Sequence, residues 1–228
     1  HGSRNPHGAM RGAMQVLESS TQAGSSQAGL MDIILKEADR LNGIITNFLS
    51  YARPATAEFA DVDIHEVLRE TLMLLKHSPD VNDGHEIIDA AGDEPVIMSG
   101  DASQLKQIFW NLSRNAMLAM PDGGKLTVSI EKILDNRIRI SFADTGCGMP
   151  PEQVERLFEP FSSSRTGGTG LGLSIVYQIV RDHFGTISVR SQENKGTTIV
   201  IDLPTDSKPL PAPQKHESDP PNPHLNKF

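Results

Sequence analysis

Arg165-Thr-Gly-Gly-Thr-Gly-Leu-Gly-Leu173 places glycines at 167, 168, 170 and 172 and runs straight into an apolar segment, Leu171 to Phe184. Each glycine costs backbone entropy on ordering, so such a stretch needs a reason. One reason is an anion. Backbone N–H groups with no Cβ beside them approach phosphate closely, and a helix start adds partial positive charge. A flexible linker is the plainer alternative for a lone Gly-rich run. The surrounding chain decides between them.

Downstream, Thr186 to Ser191 and Thr197 to Leu203 read as strands around an Asn194-Lys195-Gly196 turn. Upstream, a helix is predicted from Pro151 to Leu157, with a long loop between it and the glycines. Before that come two alternating strands, Leu126 to Ile130 and Arg137 to Phe142, joined near Asp135-Asn136. Asp101 opens a strong helix with Gln104 three residues on, as in a capping box. Its apolar stripe is Leu105, Ile108, Phe109, Leu112 and Ala116. Pro121-Asp122-Gly123-Gly124 is turn chemistry. Asp63 is placed to cap a helix from Ile64 to His77, and Glu86 to Ala90 and Pro95 to Met98 read as short strands. Helices interleaved with mostly hairpin-linked strands predict an α/β sandwich over 58–204 rather than regular βαβ repeats.

The first 53 residues differ in pattern. Met10, Ala13, Met14 and Leu17 lie on one helical face, and 21–29 is a small, polar turn. Met31, Ile34, Ala38, Leu41, Ile45, Phe48 and Ala52 then alternate spacings of three and four, a heptad seam that ends at Arg53-Pro54. Two helices alone cannot bury such a seam. A homodimer would complete a four-helix bundle; packing on the chain's own second domain is the other solution. The fold class is thus α+β: an N-terminal helical hairpin at 1–53 forming a dimeric four-helix bundle, a linker at 54–57, the sandwich at 58–204, and a Pro-rich tail at 205–228 expected to be disordered.

With 228 residues, 37% of them hydrophobic, the chain has enough apolar material for one or two cored domains. A formal net charge of −8 argues against a nucleic-acid partner or an anionic-membrane surface. The single cysteine, Cys147, excludes an intrachain disulfide and fits a reducing compartment. No apolar run reaches the length of a membrane span and no signal peptide is evident. A soluble, cytoplasmic chain without direct membrane contact is expected, with an anchor in a longer parent left open.

Three groups of residues carry chemistry. Asn111 and Asn115, four apart, stack on one face of their helix at the edge of its apolar stripe; a pair of structural amides would read the same way. Asp144-Thr-Gly-Cys-Gly-Met149 follows an alternating strand directly. A carboxylate there is able to hold an exocyclic amine while Gly146 and Gly148 let a planar base pass close; an ordinary β-turn is the alternative. Phe158-Glu-Pro-Phe161 reads as an aromatic hinge at the base of a loop, or as a hydrophobic plug.

These pieces, in this order, resemble the ATP-binding domain of sensor histidine kinases. The N box matches Asn111-x-x-x-Asn115-Ala116, the first glycine box Asp144-x-Gly146-x-Gly148, the F box Phe158 to Phe161, and the second glycine box Gly168-Thr169-Gly170-Leu171-Gly172-Leu173. The closing Gly196-Thr197-Thr198 also fits. The resemblance covers almost all of 1–204 and implies the following roles. Asp144 holds the adenine amino group, Asn115 ligates Mg²⁺ through its amide oxygen, and Asn111 helps place the phosphates. Residues 162–170 form an ATP lid with Arg165 near the phosphates, and backbone N–H groups around Gly170 to Gly172 cradle the triphosphate.

The same fold serves the ATPases of gyrase, MutL and the heat-shock chaperones. These place a glutamate four residues before the Mg²⁺ asparagine, as a base that activates water. Here that position is Asn111, which cannot take a proton at neutral pH, and this favours phosphoryl transfer over an ATPase clamp. The family's phosphoacceptor motif, His-Glu-x-Arg-Asn-Pro-Leu, is met by His1-Gly-Ser-Arg4-Asn5-Pro6-His7. His1 stands at the acceptor position, and Asn5 stands where the family orients water for dephosphorylation of the response regulator. Gly2 replaces the acidic residue and His7 the leucine; His1-Gly-Ser also fits a tag remnant. Two outcomes are therefore carried forward. One is a kinase core that binds Mg·ATP, phosphorylates a histidine and passes the phosphoryl group to a response-regulator receiver domain. The other is a phosphotransfer-defective dimer that only binds ATP.

Overall fold

In the computed structural model, residues 57–92, 94–162 and 170–206 are described. The expected hairpin at 1–53 and its dimer, with His1 and Asn5, lie outside the described residues, as does the tail from 207.

Eleven elements follow one another: β1 (Ala60–Asp63), α1 (Ile64–Lys76), β2 (His85–Asp89), β3 (Ile97–Gly100), α2 (Ala102–Ala119), β4 (Gly124–Ile133), β5 (Arg137–Asp144), α3 (Pro151–Glu155), α4 (Gly172–Asp182), β6 (Thr186–Gln192) and β7 (Gly196–Pro204). Five strands form one sheet in the order β2-β4-β5-β7-β6; β1 and β3 make a separate antiparallel pair. Only β2 runs parallel to its neighbour, β4. The remaining neighbours are antiparallel; β4–β5 and β6–β7 are hairpins joined by short turns, whereas β5 and β7 are brought together from across α3, α4 and β6.

Strand alternation makes two layers. Leu126, Val128 and Ile130 of β4, Ile138, Ile140 and Phe142 of β5, and Ile199, Ile201 and Leu203 of β7 are buried on one face. The residues between them, such as Ser129, Glu131, Arg139 and Ser141, lie on the opposite face, where Arg139 forks onto Asp202 of the paired strand at 2.8 and 2.7 Å. Helices α1, α2 and α4 cover the apolar face. Phe109 of α2 is fully buried, its ring 5.8 Å from that of Phe142. Burying a side chain of that size is worth about 2–3 kcal/mol.

Two helices start as the sequence predicts. Asp63 accepts from the N–H of His65 at 3.0 Å, and Asp101 accepts from those of Ser103 and Gln104 at 2.9 and 3.2 Å. The Asp135-Asn136 turn has both residues at positive φ, 63° and 51°, which suits the right-handed twist of the flanking strands. Three details differ from expectation. β1 was not anticipated; it is a four-residue edge pairing with β3 whose apolar content is too low to show a period. Its partner β3 begins two residues later than the expected Pro95 start, because proline has no N–H for a ladder. The ordered domain also extends past 204: Thr205 donates to Asn136 O and accepts from Ser99 N, both at 2.8 Å.

Candidate functional site

The asparagine helix is the axis of the site. Asn111 and Asn115 are both half-buried, one turn apart on α2, beside the buried Leu112 and Ala116. Gly172, the first residue of α4, faces Asn111: a Cβ placed on it would lie 3.5 Å from Asn111 Oδ1. One turn beyond Asn115, the carbonyl of Ala119 accepts from the N–H of Cys147 at 2.9 Å. The asparagine pair thus lies between the start of the glycine-led helix and the loop after β5.

That loop is tightly built. Asp144 ends β5 on the helix-covered face, where its Oδ1 accepts from Gly146 N at 2.9 Å and Thr197 N at 3.2 Å. Two N–H donors fix the plane of the carboxylate. Gly148 has φ +62°, and a Cβ there would run into the backbone carbonyl of Gln192. Asn194 N donates to Cys147 O at 2.7 Å, tying the loop to the β6–β7 turn.

The start of α4 differs from those of α1 and α2. Its N-cap is Leu171, whose side chain has no acceptor. The first-turn N–H groups of a helix need partners, and the N-cap side chain supplies none here. Gly170, just before, has φ +66°; its carbonyl accepts from Phe161 N at 3.0 Å. Phe158 packs against Tyr177 of α4 with ring centroids 5.6 Å apart. The F box and the second glycine box are therefore held against each other, on either side of 163–169. Arg165, Gly168 and Thr169 lie outside the described residues.

Helices α2 and α4 meet again at their far ends. Asp101 N–H donates to Nε2 of His183 at 3.0 Å, and Nδ1 of the same ring bonds Ile179 O at 2.9 Å, so the imidazole is neutral with its proton on Nδ1. Burial pushes the His183 pKa below its ordinary value, outweighing the Ile179 bond and the Asp101 and Asp182 charges that raise it. Asp101 moves the other way. Burial alone would raise its pKa, but hydrogen bonds from the Ser103 hydroxyl and the N–H groups of Glu58, Gln104 and Ser103 hold it below the usual carboxylate range.

Of the sequence-predicted residues, the fold brings together Asn111, Asn115, Asp144, Gly146, Gly148, Gly170, Leu171 and Gly172. It does not bring Thr198 to them. Thr198 pairs with Ala143, one position off the Asp144–Thr197 pair, and strand alternation sends it to the opposite face of the sheet. Thr197 is the residue that meets the site: it is buried, donates its N–H to Asp144, and its hydroxyl bonds that of Ser191 at 2.9 Å. Knowing the pairing register would have identified it; the Gly-Thr-Thr string alone does not.

The arrangement fits a purine nucleotide triphosphate with Mg²⁺. An oriented carboxylate suits an exocyclic amine, an uncapped helix start suits phosphate, and an amide oxygen is a hard ligand for Mg²⁺. Among the described residues no group of three or more His, Cys, Asp or Glu could hold a metal ion. Mg²⁺ in such a site keeps waters and phosphate oxygens as its other ligands.

Residues 100–207 match the family model of histidine kinase-, DNA gyrase B-, and HSP90-like ATPases. Sporulation kinase E of Bacillus subtilis is 36% identical over 204 residues, which cover 90% of this chain and 27% of that kinase. Full-length ShkA, solved in complex with AMPPNP, superposes with a TM-score of 0.75 at 29% identity, over 88% of this chain and 43% of that one. The catalytic domain of the histidine kinase ThkA is 30% identical with a TM-score of 0.58, over 65% of this chain and 99% of that domain. ThkA in complex with the response regulator protein TrrA gives 0.67 at 26% identity, over 90% of this chain and 59% of that one. The chain spans less than half the length of the curated relatives it matches. Site geometry, family model and a matched catalytic domain agree: this chain belongs to the two-component sensor histidine kinases, and its described residues form the ATP-binding catalytic domain of that family.

Proposed function

We propose that this chain is the kinase core of a cytoplasmic signalling enzyme that binds Mg·ATP, phosphorylates a histidine and passes the phosphoryl group to an aspartate of a response-regulator receiver domain. The observation that carries this reading is the contact between Asn111 and Gly172 at the start of α4. An amide rather than a carboxylate beside the start of α4 supports a reading in which phosphate binds there and is transferred rather than hydrolysed. An amide orients but does not deprotonate water, which disfavours hydrolysis by an ATPase clamp.

Asp144 accepts a hydrogen bond from the adenine amino group, its plane set by Gly146 and Thr197. Asn115 ligates Mg²⁺ through its amide oxygen, Asn111 and the N–H groups of Gly170 to Gly172 orient the phosphates, and Arg165, Gly168 and Thr169 complete the lid. Bound Mg·ATP supplies the γ-phosphoryl group. A ring nitrogen of His1 forms the new N–P bond as the bond to the ADP oxygen breaks and the ring proton passes to solvent, and Asn5 orients water for the separate hydrolysis of the response regulator's aspartyl phosphate. Residues 1–53 make a homodimer. ShkA is solved with the nucleotide analogue AMPPNP and ThkA with the response regulator protein TrrA, which supports the cofactor and the partner.

Incubating the 228-residue chain with γ-labelled ATP and Mg²⁺ tests this. Acid-labile, base-stable label that vanishes in His1→Ala is expected. Bound ATP with no protein label would leave a phosphotransfer-defective binder, and steady phosphate release without label would replace the kinase reading with a clamp.

A further inference from the structure

We propose that the Pro-rich C-terminal tail of this chain, residues 207–228, docks in an aromatic groove between the end of α4 and the start of β6.

The groove has a volume of about 430 Å³ and is lined by Tyr177, Arg181, Phe184, Thr186 and Ile187 over a floor of Val180 and Gly185. Val180 and Gly185 are buried, while Tyr177 and Phe184 stay 41% and 37% exposed. Phe184 is the unusual member. It follows the C-cap of α4 with φ +57°, and Gly185 N donates to Val180 O at 2.8 Å to close the helix end. That left-handed position is normally glycine's, and a bulky aromatic there is a backbone outlier. Nothing in the domain core requires it, since the ring stays at the surface. The conformation leaves the Phe184 ring on the wall of the groove that Tyr177 and Arg181 also line.

Aromatic-lined grooves are the means by which proteins hold polyproline II segments, whose extended form costs little entropy to bind. The chain carries a proline-rich segment of composition suited to that form. Prolines stand at 209, 211, 213, 220, 221 and 223, and Glu217 and Asp219 offer the charge that Arg181 would meet. The tail also starts at the right place. Thr186, on the groove wall, is the cross-strand partner of Asp202 of β7, so the two lie about 5 Å apart. From Asp202 to Asp206, the last residue described before the tail, the chain reaches at most about 14 Å. The first prolines therefore start within a few residues of the groove, and a tether this short makes the local concentration of the ligand of order millimolar.

Trypsin reports docking directly, because the tail holds one cleavable bond in its middle, Lys215-His216; Lys208 precedes proline, and cleavage after Lys227 removes only Phe228. In the full chain, cleavage after Lys215 is expected to be at least about tenfold slower than in the Phe184→Gly variant, the ratio tracking the undocked population. Phe184→Gly removes the ring and relieves the positive φ, so it folds. Pro211→Ser/Pro213→Ser, which leaves the domain untouched, is expected to accelerate the same cut. Equal rates in wild type and both variants overturn the proposal. Protection that rises with protein concentration also overturns it, because the occupant would then come from a second copy.

Discussion

The backbone N–H of Phe161 donates to the carbonyl of Gly170 across 3.0 Å, joining the F box to the second glycine box at the two ends of 163–169. Whatever those residues do around a nucleotide, they do from a closed base. Gly170→Ala would place a Cβ 2.7 Å from the backbone of Phe161 at φ +66°. The left-handed penalty alone is about 1–2 kcal/mol. Calorimetry with ADP and Mg²⁺ should show affinity reduced about tenfold or more, with the far-UV spectrum unchanged; wild-type affinity would mean the closed base does not matter for binding.

Asp144→Asn keeps an acceptor for Gly146 and Thr197 but turns the second oxygen into a donor. It is expected to lower adenine-nucleotide affinity by about two orders of magnitude, the loss of a charge-assisted bond plus a repulsive one. Thermal midpoints without nucleotide should move little. Unchanged affinity would remove the adenine assignment.

Asn115→Ala addresses the metal. Nucleotide binding by the variant should no longer strengthen on adding Mg²⁺, while the melting profile without ligand stays within about 1 kcal/mol of wild type, as for a half-buried helical position. A titration with wild-type Mg²⁺ dependence counts against the role.

His183 makes stability depend on pH. Its folded pKa is depressed by burial, so the unfolded chain binds the proton first. Stability is then fully present above about pH 6.5, the unfolded value, and declines as pH falls from there toward the folded pKa. Asp101, also depressed, contributes in the same direction but only below its unfolded value near about 3.9. Denaturant midpoints at pH 7.5 and 5.5 therefore isolate the histidine. His183→Gln, able to keep both hydrogen bonds without titrating, should flatten the difference. A slope that survives the substitution would assign it elsewhere.

Much of this was legible in the sequence because its determinants are local. Asp63 and Asp101 cap helices two or three residues away, Asp135-Asn136 is hairpin chemistry, and the asparagine pair needs only the helical repeat. What stayed hidden depends on register and tertiary neighbours. The choice between Thr197 and Thr198 is one residue of strand pairing. The anchoring of Cys147 to Ala119 spans two elements distant in sequence, and nothing in a lone Asp-His dipeptide announces that His183 accepts from the start of another helix.

Leu171 gives the start of α4 no acceptor of its own. Two other helices of the domain are finished by an aspartate; on the proposed function this one is finished by the bound nucleotide. Part of the free energy of binding is then spent on completing the protein, so occupancy and folding become linked quantities. A ligand at a hundred times its dissociation constant adds about 2.7 kcal/mol to the stability of the state that binds it. On the proposed function, the melting temperature of this domain becomes a gauge of nucleotide concentration, and the helix proposed to read the phosphates is also the part that reports whether they are there.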